Sequence, residues 1–309
     1  MEKLIKGLHH VTSMAGNAKQ NNQFFTKTLG LRRVKKTVNF DQPDVYHLYY
    51  GDEVGSPGSV MTYFPFGGMP RGRRGTGEVR MTEFAVPIGA LDFWKERLAN
   101  AGVTGLKEGS FLGEQRLEFD GPDNDGFALV ESEPNGRTPW TGEDIGSAEG
   151  ILGFHGAHFQ LRDVAQTGEL LSFMGYEKQE SEGAVTRYRI DDGNEARTID
   201  LEASPNARHA NQGSGSVHHI AFAVDDRAAQ LEVRKALLDT GYQVTPVIAR
   251  DYFWAIYFRT PGGVLFEIAT NEPGFDHDED TAHLGEALKL PGRYEDYRAE
   301  IEARLPSIG

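Results

Sequence analysis

Leu8-His9-His10-Val11-Thr12, near the start of the chain, returns in altered form as Val217-His218-His219-Ile220-Ala221. Each stretch opens a strand-like run. The second is followed by Gly263-Val264-Leu265-Phe266-Glu267-Ile268, a strand with one carboxylate among apolar residues. Two imidazoles and a carboxylate displayed on strands compose a facial triad, the ligand set that leaves positions on a non-haem Fe(II) ion open. A strand start that recurs with the same chemistry directs attention to internal repetition.

The repetition runs through the whole chain. Short alternating strands recur as His10-Val11-Thr12-Ser13-Met14, Val79 to Val86, Ala157-His158-Phe159-Gln160-Leu161 and His219 to Val224. Apolar residues at helical spacing follow each one: Phe24, Phe25 and Leu29; Leu91, Trp94 and Leu98; Leu170, Leu171 and Phe173; Leu231, Leu237 and Leu238. Gly30, Gly102, Gly175 and Gly241 then stand where a left-handed helix cap is wanted. Three further strands close each unit, the last being Ser59–Phe64, Gly126–Glu131, Thr198–Glu202 and Val264–Ile268. The chain reads as one βαβββ module used four times.

Modules are expected at 1–66 and 77–133, making an N-terminal pair within 1–150, and at 151–204 and 215–270, making a C-terminal pair within 151–270. Residues 271–309 form an acidic tail with a short helix from Tyr294 through Ala303. The Gly- and Arg-rich stretch 67–75 lacks the strand–turn–helix setting of a phosphate loop and reads as a flexible connector. Pro134 to Glu149 is a second polar link.

A formal charge of −14 argues against nucleic acid or an anionic membrane surface as partner, since both want a basic face. The chain has no cysteine, which excludes disulfides, thiolate catalysis and Cys-ligated metals. Any metal must be held by His and carboxylate. No run is long enough to span a bilayer, and charges interrupt Met1–Lys6 where a signal peptide needs its apolar stretch, so the expected location is the cytoplasm. A homo-oligomer is compatible with all of this but not specified by it.

With four βαβββ units, His on first strands and Glu on a last strand, the sequence resembles the vicinal oxygen chelate superfamily, which includes glyoxalase I, bleomycin-resistance proteins and extradiol dioxygenases. The opening motif, Tyr46-His47-Leu48-Tyr49-Tyr50-Gly51-Asp52, Val217-His218-His219 and the Arg250, Tyr257, Glu267 spacing are similar to the hydroquinone-type ring-cleaving dioxygenases, the MhqO/PcpA-like group. That resemblance implies an α+β fold in which the modules form two cup-shaped mixed sheets. It also implies a mononuclear Fe(II) site at His10, His219 and Glu267, with Mn(II) as the alternative ion. His9, His218, Arg250 and Tyr257 would line the pocket of a small aromatic substrate that meets dioxygen there. His9 or His218 would handle the phenolic proton, because imidazole titrates near neutral pH, Tyr257 would donate a hydrogen bond and Arg250 would stabilise negative charge. Asp52 is a weaker carry-over.

The alternation of residues agrees about faces. Ile220, Phe222 and Val224 alternate with His219, Ala221 and Ala223, and Phe266 and Ile268 flank Glu267, so both ligands turn away from the core. His158 competes with His10, because it opens the third module's first strand in apparent register with His10 and His219; the triad would then be His158, His219 and Glu267. Modules two and three also offer His158, Glu202, Glu83 and Glu131 for a second cup, which lacks a second His and reads as degenerate. His155, His209, His277 and His283 are expected at the surface, and His47 carries no assigned role. Two other functions fit the same fold: a glyoxalase-like isomerase or lyase, for which module one offers Tyr63 or Phe64 where a fourth carboxylate belongs, and a metal-free drug-binding protein, which leaves the triad without a purpose.

Overall fold

Alternation along the chain produces the strands, and the structure, a computed structural model, describes residues 3–309. Module one comprises β1 (Leu8–Ala15), α1 (Ala18–Gln23), β2 (Arg32–Val38), β3 (Tyr46–Gly51) and β4 (Val60–Pro65). Module two comprises β5 (Glu78–Pro87), α2 (Leu91–Asn100), β6 (Thr104–Phe111), β7 (Glu114–Asp120) and β8 (Gly126–Ser132). Module three has β9 (Gly153–Leu161), α3 (Ala165–Phe173), β10 (Glu177–Glu182), β11 (Val185–Arg189) and β12 (Thr198–Ala203). Module four has β13 (Val217–Val224), α4 (Arg227–Asp239), β14 (Ile248–Ala249), β15 (Phe253–Arg259) and β16 (Leu265–Pro273).

Two eight-stranded sheets result, ordered β14-β15-β16-β13-β1-β4-β3-β2 and β10-β11-β12-β9-β5-β8-β7-β6. Both are curled and mixed: the first and last strands of every module run parallel, and the remaining pairs are antiparallel. Sheet sharing does not follow the sequential halves. Module one joins module four through β1 and β13, while module two joins module three through β5 and β9. The core lies between the sheets and under the helices, where Phe159 meets Phe266 at 5.8 Å and Phe25 meets Phe127 at 5.9 Å between ring centres. Val11, Ile220, Phe222, Phe266 and Ile268 all face it, leaving the alternate residues to line the cups.

The helices follow the expected pattern with two departures. Gly30, Gly102, Gly175 and Gly241 take φ of 66°, 72°, 97° and 91°, the left-handed conformation that ends a helix at no steric cost. α1 widens into a π-helical turn over Phe24–Thr28, which lets the adjacent Phe24 and Phe25 both reach the core. α4 buries Gln230, Val233 and Leu237 and leaves Leu231 and Leu238 at 49% and 42% exposure, so those two leucines are not core residues.

The Gly- and Arg-rich connector is not a free linker. It pairs with the segment entering module four: Gly72 N donates to Ser214 O at 2.9 Å, and Arg73 and Asn211 exchange bonds of 2.8 and 2.9 Å. Glycine is required at 72 and 75 because the two segments almost touch there. The tail is a strap. It packs Phe275 on Tyr252, and Asp278 and Glu279 hold the fully buried Lys35 at 2.7 and 2.5 Å. Arg293 and Tyr294 both donate to Phe40 O at 2.7 Å, and α5 (Arg298–Arg304) follows.

A methyl group at Gly75 would press on the Arg208 carbonyl and lie 2.7 Å from the Ala210 nitrogen, both backbone atoms. Gly75→Ala is therefore expected to destabilise by about 1–3 kcal/mol, as overpacking does, measured by thermal or denaturant unfolding. An unchanged midpoint would mean that the ladder is loosely held.

Candidate metal centre

Cross-strand registry assembles the site, since directly opposed residues share a face. Tyr257 on β15 faces Glu267 on β16, Glu267 faces Ala221 on β13, and Ala221 faces His10 on β1. His219, two residues before Ala221, faces Thr12. Ala221 thus sits among the three donors with only a methyl group for a side chain.

Each His doublet lies at a β-bulge. Between Leu8 and His10 the register slips so that His9 is the extra residue; between Thr12 and Ser13 the extra residue is His218. A bulge re-aims side chains, and here it lets neighbouring imidazoles meet when simple alternation would send them to opposite faces. His9 Nδ1 lies 2.9 Å from His10 Nδ1, and His218 Nδ1 lies 2.8 Å from His219 Nδ1.

The inner nitrogens converge on the carboxylate. His219 Nε2 is 2.9 Å and His10 Nε2 is 3.4 Å from Glu267 Oε2. Glu267 is fully buried, and neither of its oxygens has a hydrogen-bond partner. Burial alone would push its carboxyl up, but the two facing imidazoles outweigh that and hold it well below the ordinary carboxylate range. An ionised, buried, unbonded carboxylate needs a positive partner. Burial also lowers the outer imidazoles, His9 to about 3 with His10 contributing and His218 to about 4 with His219 contributing, so both stay neutral near pH 7. If His10 and His219 offer Nε2 lone pairs to an ion, their Nδ1 atoms carry the protons and donate to His9 and His218. A small oxygen- and nitrogen-loving divalent cation fits these donors and this gap.

A cavity of about 580 Å³ opens in front of the triad. His10, His218, His219, Arg250, Tyr257 and Glu267 all line it. His9 does not: at 3% exposure it stands behind His10 and packs on Phe253, so it is placed to orient a ligand, not to meet a substrate. Arg250 Nε donates to Tyr257 Oη at 3.1 Å, and its Nη1 lies 3.6 Å from Asp41. Burial and Glu267 raise the Tyr257 phenol well above its ordinary value, so it remains a donor. Asp52 is elsewhere, accepting from the backbone nitrogens of Val54, Gly55 and Ser56 to shape the turn after β3.

Sequence reading missed the loop Asn39–Gln42, Met69, Gln212 and Thr245, which line the same cavity. They come from turns and connectors that carry no motif. His47, without a role in the sequence, is also in the wall.

The second cup differs position by position. Its strands carry the same two bulges, at Arg80 and His155, which fixes the correspondence. Met81 stands for His10, Gly156 for His219 and Asp200 for Glu267; Arg187 faces Asp200 as Tyr257 faces Glu267. His158 takes the place of Ala221, so its apparent register with His219 was two residues out, and it lies in the other sheet from Glu267. Glu83, His158 and Asp200 come close enough to hold an ion. Yet Arg187 grips Asp200 with bonds of 2.9 and 2.8 Å, and Arg116 meets Glu83 at 3.0 Å, so guanidinium charge already answers both carboxylates. His155 is half-buried against Glu114 at 3.2 Å, not at the surface as expected, while His209, His277 and His283 are exposed.

The model of the Glyoxalase/Bleomycin resistance protein/Dioxygenase superfamily matches residues 7–268, and the chain belongs to that superfamily. It is 43% identical over 306 residues to MhqO of Bacillus subtilis (strain 168), whose name places it among ring-cleaving dioxygenases; the match covers 99% of this chain and 97% of that one. It is 34% identical to the chlorohydroquinone/hydroquinone 1,2-dioxygenase of Sphingobium indicum, over 96% of this chain and 95% of the relative. A Bacillus subtilis crystal structure described as a dioxygenase superposes with a TM-score of 0.96 at 41% identity, covering 100% and 99% of the two chains. Glyoxalase I from Zea mays shares the fold at a TM-score of 0.63 and 14% identity, covering 86% and 92%.

Ala221→Leu is expected to abolish stoichiometric metal binding, because the branched side chain fills the space the three donors surround. Elemental analysis of the folded variant checks this. A metal-loaded, folded Ala221→Leu protein would place the ion somewhere else.

Proposed function

We propose that this chain is a non-haem Fe(II) extradiol-type dioxygenase that opens hydroquinone-type aromatic rings, catechol-type rings being the neighbouring class. The observation that carries the reading is the buried, unbonded Glu267 facing two imidazole Nε2 atoms over an alanine. Held by His10, His219 and Glu267, an Fe(II) ion would supply open coordination positions and an electron path from an electron-rich phenolate to dioxygen. The relatives' names support the ring-cleaving part of this reading.

The protein's own contribution is orientation and charge. His9 and His218 hold the two ligand imidazoles through Nδ1, and His218, which also lines the cavity, has Nε2 left to donate to a substrate oxygen. In its neutral resting form His218 enters as a donor, and His9 has no access to a phenolic proton. Because Tyr257 Oη accepts from Arg250, its own proton is free to be given toward the reacting end of the cavity. Arg250 supports that donation and offsets negative charge that grows there.

A glyoxalase-like isomerase is less well supported. Its fourth ligand would have to come from β4 at the place equivalent to Glu267, opposite Thr12 two residues after His10, and Thr62 stands there, bonded to Thr12 and His47. Tyr63 is buried and bonded to Asp125, and Phe64 is hydrocarbon. A metal-free drug-binding protein gives Glu267 no counter-charge. Mn(II) suits the same donors as Fe(II), so the ion is a matter for measurement.

Iron-reconstituted protein is expected to consume dioxygen with hydroquinones and yield a ring-opened chromophore. Tyr257→Phe is expected to keep its metal and lose on the order of a hundredfold or more in turnover, the usual cost of one preorganised donor. Stoichiometric zinc with neither iron nor manganese after metal-replete expression, or no oxygen uptake across a broad panel of hydroquinones and catechols, would contradict the proposal.

A further inference from the structure

The cavity extends well beyond the triad. Along β1 His10 and Met14 line it, and from His10 to Met14 the strand rises about 13 Å. At the Met14 end its neighbours are Phe64, directly opposite on β4, and then Phe66 and Met69 on the way into the connector. Phe64, Phe66 and Met69 are only half-buried, so they leave apolar surface open to the cavity. A volume of about 580 Å³ falls in the range of sites that enclose drug-sized ligands, and one phenolic ring does not fill it.

His47 joins this wall as a ring, not as a polar group. Its Nδ1 takes Tyr49 Oη at 2.8 Å and its Nε2 takes Thr62 Oγ1 at 2.9 Å, and Thr62 bonds onward to Thr12 at 2.9 Å. Both nitrogens are committed inside the protein. The imidazole lies between Tyr49 and Phe64, with centres 4.1 and 4.3 Å away and planes tilted by 34° and 43°, and Phe64 continues to Phe66 at 6.3 Å and to His218 at 5.9 Å. A shelf of rings therefore leads from His218, beside the triad, to the connector.

We infer that the preferred substrate is a dihydroxybenzene bearing an extended apolar substituent, which lies along Tyr49, His47, Phe64 and Phe66 and ends against Met14 and Met69. The inference rests on the ring-cleaving reading for the position of the hydroxylated ring. The shelf selects the arm: flat faces take an alkyl or aryl group by contact, and the two methionines adapt to its end.

The test is calorimetric binding of 2-alkylhydroquinones, from hydrogen to n-butyl, to the iron-reconstituted protein kept strictly anaerobic, with oxygen uptake measured on parallel samples. Affinity is expected to rise about two- to fourfold per methylene as each is removed from water. Phe66→Ser and Met69→Ser, at half-buried positions, are each expected to flatten that slope. An affinity that does not change from hydroquinone to butylhydroquinone, while hydroquinone itself binds and is consumed, overturns the inference and leaves the dioxygenase reading standing. A slope that survives in both variants also overturns it, by showing that the arm lies elsewhere. If no member of the series binds or is consumed, both readings fall.

Discussion

The antiparallel pairing of β1 with β13 is the constraint on which the site depends. It joins the first and last modules of the chain, brings His10 opposite Ala221 and sets His219 opposite Thr12. The pairing also carries two bulges, one on each strand, and each makes room for an extra histidine. Without that slip in register, His9 and His218 would turn to the core face, and the ligand imidazoles would lose the partners that fix their Nδ1 protons. The parallel β13–β16 pairing then adds Glu267, and the chain has spent three strands from two distant modules on one small gap.

The second sheet repeats the frame of this cup with other side chains. Its bulges and its carboxylate are retained, with Asp200 where Glu267 stands. The side chains around that carboxylate differ: methionine and glycine stand for His10 and His219, Arg80 for His9, His158 for Ala221 and Arg187 for Tyr257. A buried carboxylate must be neutralised in either case. In one cup Glu267 faces two imidazoles and no cationic side chain bonds it; in the other a guanidinium holds Asp200 with two hydrogen bonds.

Much of this was legible in the sequence, because repetition and alternation are local signals. The four modules, the glycine helix ends and the outward facing of His219 and Glu267 all follow from period and turn chemistry. The register of His158 was not legible, since a bulge at His155 shifts the strand by an amount that alternation cannot reveal. The connector misled for a related reason: its glycines looked like freedom, yet Gly72 and Gly75 are demanded by the close approach of residues 208–214, which are remote in sequence. His9 and His218 looked equivalent as doublet partners, yet the cup closes over one and opens beside the other.

The central claim is that modules one and four, and not three and four, hold the ion. Metal content of folded His10→Ala and His158→Ala proteins, prepared identically and checked by circular dichroism, tests it most directly. A triad reduced to two donors loses affinity and facial geometry, so His10→Ala should come out metal-free while His158→Ala keeps about one ion per chain. A metal-loaded His10→Ala protein beside a metal-free His158→Ala protein would contradict the account.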